Sequence, residues 1–113
     1  MTLKGKSVVV YLQAPKERFW GILRELDASG AVVEGIELES FDSWVHEVAR
    51  AGSGAAPPSL VFFPTSRIER ILLDRSSRSI PSLEERFRGV TGRSLSSHLG
   101  AGRPVRPVPF RKD

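Results

Sequence analysis

Gly21-Ile22-Leu23-Arg24-Glu25-Leu26-Asp27-Ala28-Ser29-Gly30-Ala31-Val32-Val33-Glu34-Gly35 is the stretch whose reading decides the fold. It predicts two apolar strands, Phe19 to Leu26 and Ala31 to Leu38, joined by the turn Asp27-Ala28-Ser29-Gly30. An Asp side chain can accept hydrogen bonds from amides just after it, and Gly tolerates backbone angles that other residues avoid, so this turn has a mechanism. Gly21 and Gly35 stand inside the two strands. An interior strand glycine has no side chain to pack, and it marks a bulge, a bend or a close backbone approach. Two of them in consecutive strands predict a tightly curved barrel and not a flat sheet.

Upstream, Lys6 to Gln13 contains Val8-Val9-Val10-Tyr11-Leu12 and reads as a first strand, since β-branched and aromatic residues suit a pleated surface. Pro15 ends it, and Lys16-Glu17-Arg18 is expected as an exposed connection. Downstream, Phe41, Trp44, Val45 and Val48 recur at helical spacing, with Ser40 as the expected N-cap and Gly52 as the stop. A loop from Ala51 to Pro58 leads to a fourth strand, Ser59 to Phe63, whose Leu60-Val61-Phe62-Phe63 is apolar throughout. Pro64-Thr65-Ser66 breaks it, and Arg67 to Asp74 is a fifth strand, with a helical turn over Ile68–Leu72 as the competing assignment. Ser82 and Glu85 form a capping box for a second helix that presents Leu83, Phe87 and Val90 on one face and ends at Gly92.

The chain has 113 residues, 40% hydrophobic and 27% charged, an ordinary composition for one domain with a single core. Its opening residues lead into the first strand and not into a signal-peptide core, no apolar run is long enough for a bilayer, and a cytoplasmic location is expected. With no Cys there is neither a disulfide nor a thiolate site. The net charge of +4 is uneven. Residues 1–92 are neutral, and from Arg93 onward Arg93, Arg103, Arg106, Arg111 and Lys112 face only Asp113. The expected organisation is therefore a barrel domain over 1–92 and a disordered basic tail rich in Pro and Arg over 93–113. Within the body, acids crowd the first half and arginines the second, a separation that favours pairing with copies of itself or with a polyanion.

The turn and strands around Gly21-Ile22-Leu23 and Leu26-Asp27, with Ala31-Val32-Val33 after them, resemble the first motif of the Sm-like (LSm and Hfq) family. Leu60–Phe63 and Ile68–Leu73 look like that family's last two strands. The resemblance covers about two thirds of the chain. It implies a mainly β fold, a small, strongly bent five-stranded barrel with a helix inserted between strands 3 and 4 and a C-terminal helix. It also implies rings in which the fourth strand of one protomer pairs with the fifth of the next. The family's RNA-binding positions are not matched: Ser29, Gly30 and Ala31 follow the turn Asp, and Pro64-Thr65-Ser66 stands between the last strands, without a stacking aromatic or amide side chain.

No residues converge on a reaction. His46 and His98 stand apart and are expected on the helix surface and in solvent, Asp27 is a turn former, and no phosphate loop, nucleophile elbow or dinucleotide fingerprint is present. Trp20, Phe41, Trp44, Phe62 and Phe63 are expected in the core. The sequence thus predicts a non-enzyme with no catalytic, cofactor or metal site, no small-molecule substrate and no membrane partner. It predicts a homo-oligomer acting as an interaction or assembly unit, with Leu60, Val61, Phe62, Phe63, Ile68, Ile71 and Leu73 as self-association strands. The alternative is RNA or single-stranded nucleic-acid binding, with Arg67, Arg70, Arg75, Arg78, Arg103, Arg106 and Arg111 as contacts to it or to an acidic protein.

Overall fold

Gly21 and Gly35 lie directly opposite each other in adjacent antiparallel strands. A Cβ built on Gly21 would overlap the Glu34 carbonyl and come within 2.7 Å of the Gly35 Cα. One built on Gly35 would overlap the Trp20 carbonyl and come within 2.6 Å of the Gly21 Cα. Backbone therefore packs on backbone here, a contact that no other pair of residues permits.

The computed structural model describes residues 2–99. Five strands, β1 (Ser7–Leu12), β2 (Glu17–Asp27), β3 (Gly30–Glu37), β4 (Ser59–Pro64) and β5 (Ile68–Leu73), form one antiparallel sheet in the order β4-β3-β2-β1-β5. Three helices accompany it: α1 (Phe41–Ala51), α2 (Leu83–Thr91) and α3 (Leu95–Leu99). Ile68–Leu73 is thus strand and not the competing helical turn, Arg67 closes the 3-10 turn before it, and β2 takes in Glu17 and Arg18, which the sequence reading leaves in a connection. No helix among the described residues is long and apolar enough to cross a membrane.

The sheet curls strongly. β4 and β5 are its opposite edges, yet only the short turn Thr65–Arg67 separates them. Five strands laid flat at about 4.8 Å spacing would hold those edges roughly 19 Å apart, too far for a turn of that kind. The aromatic contacts agree. Phe19 pairs with Glu37 and Phe63 with Ala31, positions about 20 Å apart along a straight β3. Their rings nonetheless meet edge to face with centroids 5.1 Å apart. A bulge between Leu23 and Glu25 adds to the bend. The expected barrel is not closed: β4 and β5 meet only at their shared corner and do not pair.

Curling gives the sheet two unlike faces. The inner face buries Val8, Val10, Leu12, Phe19, Leu23, Ala31, Val33 and Phe63 without help from any helix. On the outer face Trp20 and Ile22 join Phe41, Trp44, Val45 and Val48 of α1, Phe87 of α2 and Leu95 of α3. Trp20 meets Phe41 edge to face at 5.0 Å, and Trp44 stacks on Phe87 at 5.3 Å. The capping box at Ser82 and Glu85 is present, and Gly52 and Gly92 end α1 and α2 at positive φ. Ser40 differs from expectation: its side chain makes no capping bond, because the turn Leu38–Ser40 already feeds α1. The ordered body also runs past Gly92. Ser94 caps α3 through the Ser97 amide (3.1 Å), and Leu95 is fully buried, so residues 94–99 are not tail.

Because the Gly21–Gly35 contact sets the curl, Gly21→Ala or Gly35→Ala will destabilise the domain by at least about 2 kcal/mol through overpacking against backbone. Urea unfolding followed by the fluorescence of the buried Trp20 and Trp44 measures it, and a midpoint unchanged from the parent would contradict this account of the bend.

Candidate assembly edges

The hydrogen-bond phase of the sheet decides what each edge offers. Next to the Gly30–Pro64 pair, the Thr65 amide donates to the Ser29 carbonyl (2.9 Å). In an antiparallel ladder this makes Phe63, Val61 and Ser59 the residues whose backbone groups face β3. Leu60 and Phe62 turn their N–H and C=O groups outward, and Pro64, which has no N–H, falls in the same outward phase. On the other side the Asp74 amide donates to Ser7 O (2.9 Å) beside the Val8–Leu73 pair. Leu72 and Arg70 therefore face β1, while Ile71 and Leu73 present backbone groups that no described residue pairs.

The side chains at these edges are apolar. Leu60 is 68% exposed and Phe62 54% exposed on the outer face, next to half-buried Val32. The helices cover the outer face over β1 and β2 and stop short of β4. Phe62 is thus not a core residue, contrary to the expectation for all five aromatics, whereas Phe63 on the inner face is buried. At the β5 edge Leu72 is 43% exposed, and Ile68, Ile71 and Leu73 are half-buried. β4 carries no charge; β5 carries Glu69 and Arg70.

The arginines scatter. Arg67 is held by its own fold: its guanidinium donates to Gln13 O (3.0 Å), Pro15 O (3.0 Å) and Glu17 Oε1 (3.1 Å). Arg70 lies over the Tyr11 ring, 4.4 Å from its centroid. Arg75 and Arg78 are exposed on the segment after β5, where Ser77 and Ile80 exchange backbone hydrogen bonds around the tip. Arg103, Arg106 and Arg111 lie outside the described residues.

Asp74 is the polar residue that sequence reasoning missed. It accepts from Ser7 Oγ (2.7 Å) and from the Leu83 (2.8 Å) and Glu84 (3.0 Å) amides. Trp20 Nε1 donates to Ser7 Oγ (2.9 Å) and reaches Asp74 Oδ2 at 3.4 Å. Both Asp74 oxygens serve as the anchor of α2, taking up amides of its first turn. Lys6, Ile22, Leu73 and Ser96 flank this cluster in an open depression. Among the described residues no three His, Asp or Glu side chains gather as a metal-binding group. Asp27 behaves as its turn requires, accepting from the Ser29 hydroxyl (2.6 Å) and amide (2.8 Å), which hold its carboxyl below the ordinary range.

His46 is exposed on α1, with Nδ1 2.7 Å from Asp42 O. His98 is not the solvated residue expected. It packs against Trp44 (5.7 Å) and Phe87 (5.6 Å) through α3, and burial, with Arg93 nearby, lowers its pKa. Comparison with protein-family models, curated proteins and solved structures yields no significant match.

The His98 shift has a pH consequence. Since the folded state disfavours the charged imidazole, its packing contributes fully above the unfolded pKa near 6.5, and the contribution falls as pH drops through that value toward the folded pKa. Thermal melts of the parent will therefore lose more stability between pH 7.5 and 5.5 than those of His98→Phe; equal losses would contradict this.

Proposed function

We propose that this chain is a non-enzymatic, self-associating module of Sm-like type that serves as an assembly or interaction unit, joined edge to edge through β4 and β5. The observation that carries the reading is β4 itself. It is an uncharged edge strand with Leu60 and Phe62 exposed, and no described residue pairs their outward backbone groups. Proteins that remain monomeric blunt such an edge with charges, with proline in the strand or with a covering element, and only Pro64 at its very end does so here. The Sm-like assignment gains support from the strand order and bend, from the helix between β3 and β4, and from edges that match the strands expected to meet in a ring. Basic residues beyond 93 would then present a shared positive fringe to acidic partners. Static light scattering across a dilution series tests the reading. The parent will exceed monomer mass at high concentration, and Phe62→Lys will shift it to monomer with its circular dichroism unchanged. A parent that stays monomeric throughout would end it.

A second reading, single-stranded nucleic acid, draws on Arg75 and Arg78, which are exposed and make no ion pair with another described residue. In this case affinity for an RNA oligonucleotide falls as salt rises, by roughly one log unit per log unit of salt for each phosphate neutralised. Arg75→Glu with Arg78→Glu will flatten that slope, and no binding at low salt removes the reading.

A further inference from the structure

Resting on the self-association reading, we propose the register of the joint: Leu60 opposite Leu73 of a second copy, Val61 opposite Leu72, Phe62 opposite Ile71 and Phe63 opposite Arg70. Two constraints single out this alignment among antiparallel ones, and a third favours β5 over a second β4 as the partner of β4.

The first is hydrogen-bond phase. Leu60 and Phe62 on β4, and Ile71 and Leu73 on β5, are the residues whose N–H and C=O groups point away from the sheet. An antiparallel joint forms bonds only if these residues face each other. A slide by one residue points both sets of groups past their partners, so only alternate registers remain.

The second is chemistry. Sliding two residues one way sets Phe62 against Glu69 and Val61 against Arg70. Sliding two the other way sets Val61 against Asp74, whose carboxylate already anchors α2, and Leu60 against Arg75. The proposed register sets three apolar residues against apolar ones. It places Arg70, already lying on an aromatic ring within its own chain, beside Phe63. Pro64 falls opposite Glu69, where its missing N–H ends the ladder without leaving a gap inside it.

The third is the face of the sheet that each side chain takes. Leu60 and Phe62 point to the outer face, whereas Ile71, like its partner Val10, points inward. Residues opposite each other in an antiparallel pair share a face, so the joint exchanges faces. The exposed outer side chains of β4 continue the half-buried inner row of the neighbour's β5, and Leu72 comes alongside Val61. One joint thereby covers Leu60, Phe62 and Leu72 together. A two-fold joint of β4 with β4 would cover the first two and leave the β5 edge open.

The Cys-free chain makes the test direct. Val61 and Leu72 fall in a pair without mutual hydrogen bonds, where Cα atoms lie about 4.5 Å apart, within disulfide reach. Under mild oxidation the double variant Val61→Cys with Leu72→Cys will cross-link into dimers and higher multimers that reductant reverses. Val61→Cys alone will not, and neither will the shifted pair Val61→Cys with Arg70→Cys. A second readout needs no substitution: hydrogen exchange of the parent will show the Leu60, Phe62, Ile71 and Leu73 amides gaining protection as concentration rises. Cross-linking of Val61→Cys alone, with only the β4 amides protected, would replace the joint by a two-fold one. Cross-linking of the shifted pair, or an oligomer with neither the expected cross-link nor the four protected amides, would overturn the register while self-association stands. A parent monomeric at every concentration would remove both.

Discussion

The contact between the backbones of Gly21 and Gly35 is the constraint on which the rest of the molecule depends. Side chains normally keep the chain at arm's length at such a crossing, and here their absence lets β2 and β3 press together and bend. Only because they bend can the short turn Thr65–Arg67 carry the chain from one edge of the sheet to the other. That turn is then stapled from both sides. The Thr65 amide and hydroxyl donate to Ser29 O and Ala28 O, at 2.9 and 2.7 Å. Arg67 O accepts from the Gln13 amide (2.8 Å), and its guanidinium holds the segment before β2. Curvature and corner support each other, a mutual consistency expected of a chain with one dominant fold.

The bend also explains how so few residues can supply two cores. The inner face fills itself, with Val8, Val10, Leu23, Ala31 and Val33 fully buried beneath no helix. All three helices are then free to cover the outer face, where Trp20 is the meeting point. Its ring touches Phe41 and Trp44, and its indole N–H reaches Ser7 and Asp74. Through Asp74 that interaction extends to the start of α2. One tryptophan thus ties sheet, α1 and the α2 cap together, and its buried N–H has the partner it needs.

What the sequence revealed was local, and what it concealed was long-range. The five strands, the capping box at Ser82, the stops at Gly52 and Gly92 and the apolar face of α1 all announce themselves within a few residues. Asp74 could not, because its partners are Ser7, far away in the chain, and the amides of Leu83 and Glu84, and no spacing rule joins them. For α3 a signal did exist in the Leu95–Leu99 spacing behind Ser94. The surrounding Ser, Gly and Arg outweighed it, since a helix this short is stable only through the packing of Leu95. Whether the barrel closes is not legible locally either. Glycines report that a sheet can bend, but whether its edges then pair depends on where the last two strands diverge after their corner. The candidate edge strands were readable as apolar runs; that Leu60 and Phe62 face out while Phe63 faces in required the register with β3.

The two edges left by this geometry are not equivalent, and the difference bears on what they would accept. β5 is partly defended: Glu69 and Arg70 stand in it, a bulge interrupts its pairing with β1 next to Arg70, and Arg67 guards its entry. β4 has no such protection. An undefended edge facing another undefended edge would join indiscriminately, whereas charges on one side make most alignments costly and leave few that are not. In the proposed joint the charged residues of β5 fall at the end where Pro64 has already stopped the ladder, and its apolar half meets the apolar half of β4. Selectivity would then come from β5 and adhesion from β4. In that joint the outward backbone groups of the two edges, which no described residue pairs, would be satisfied by each other across two copies of the chain.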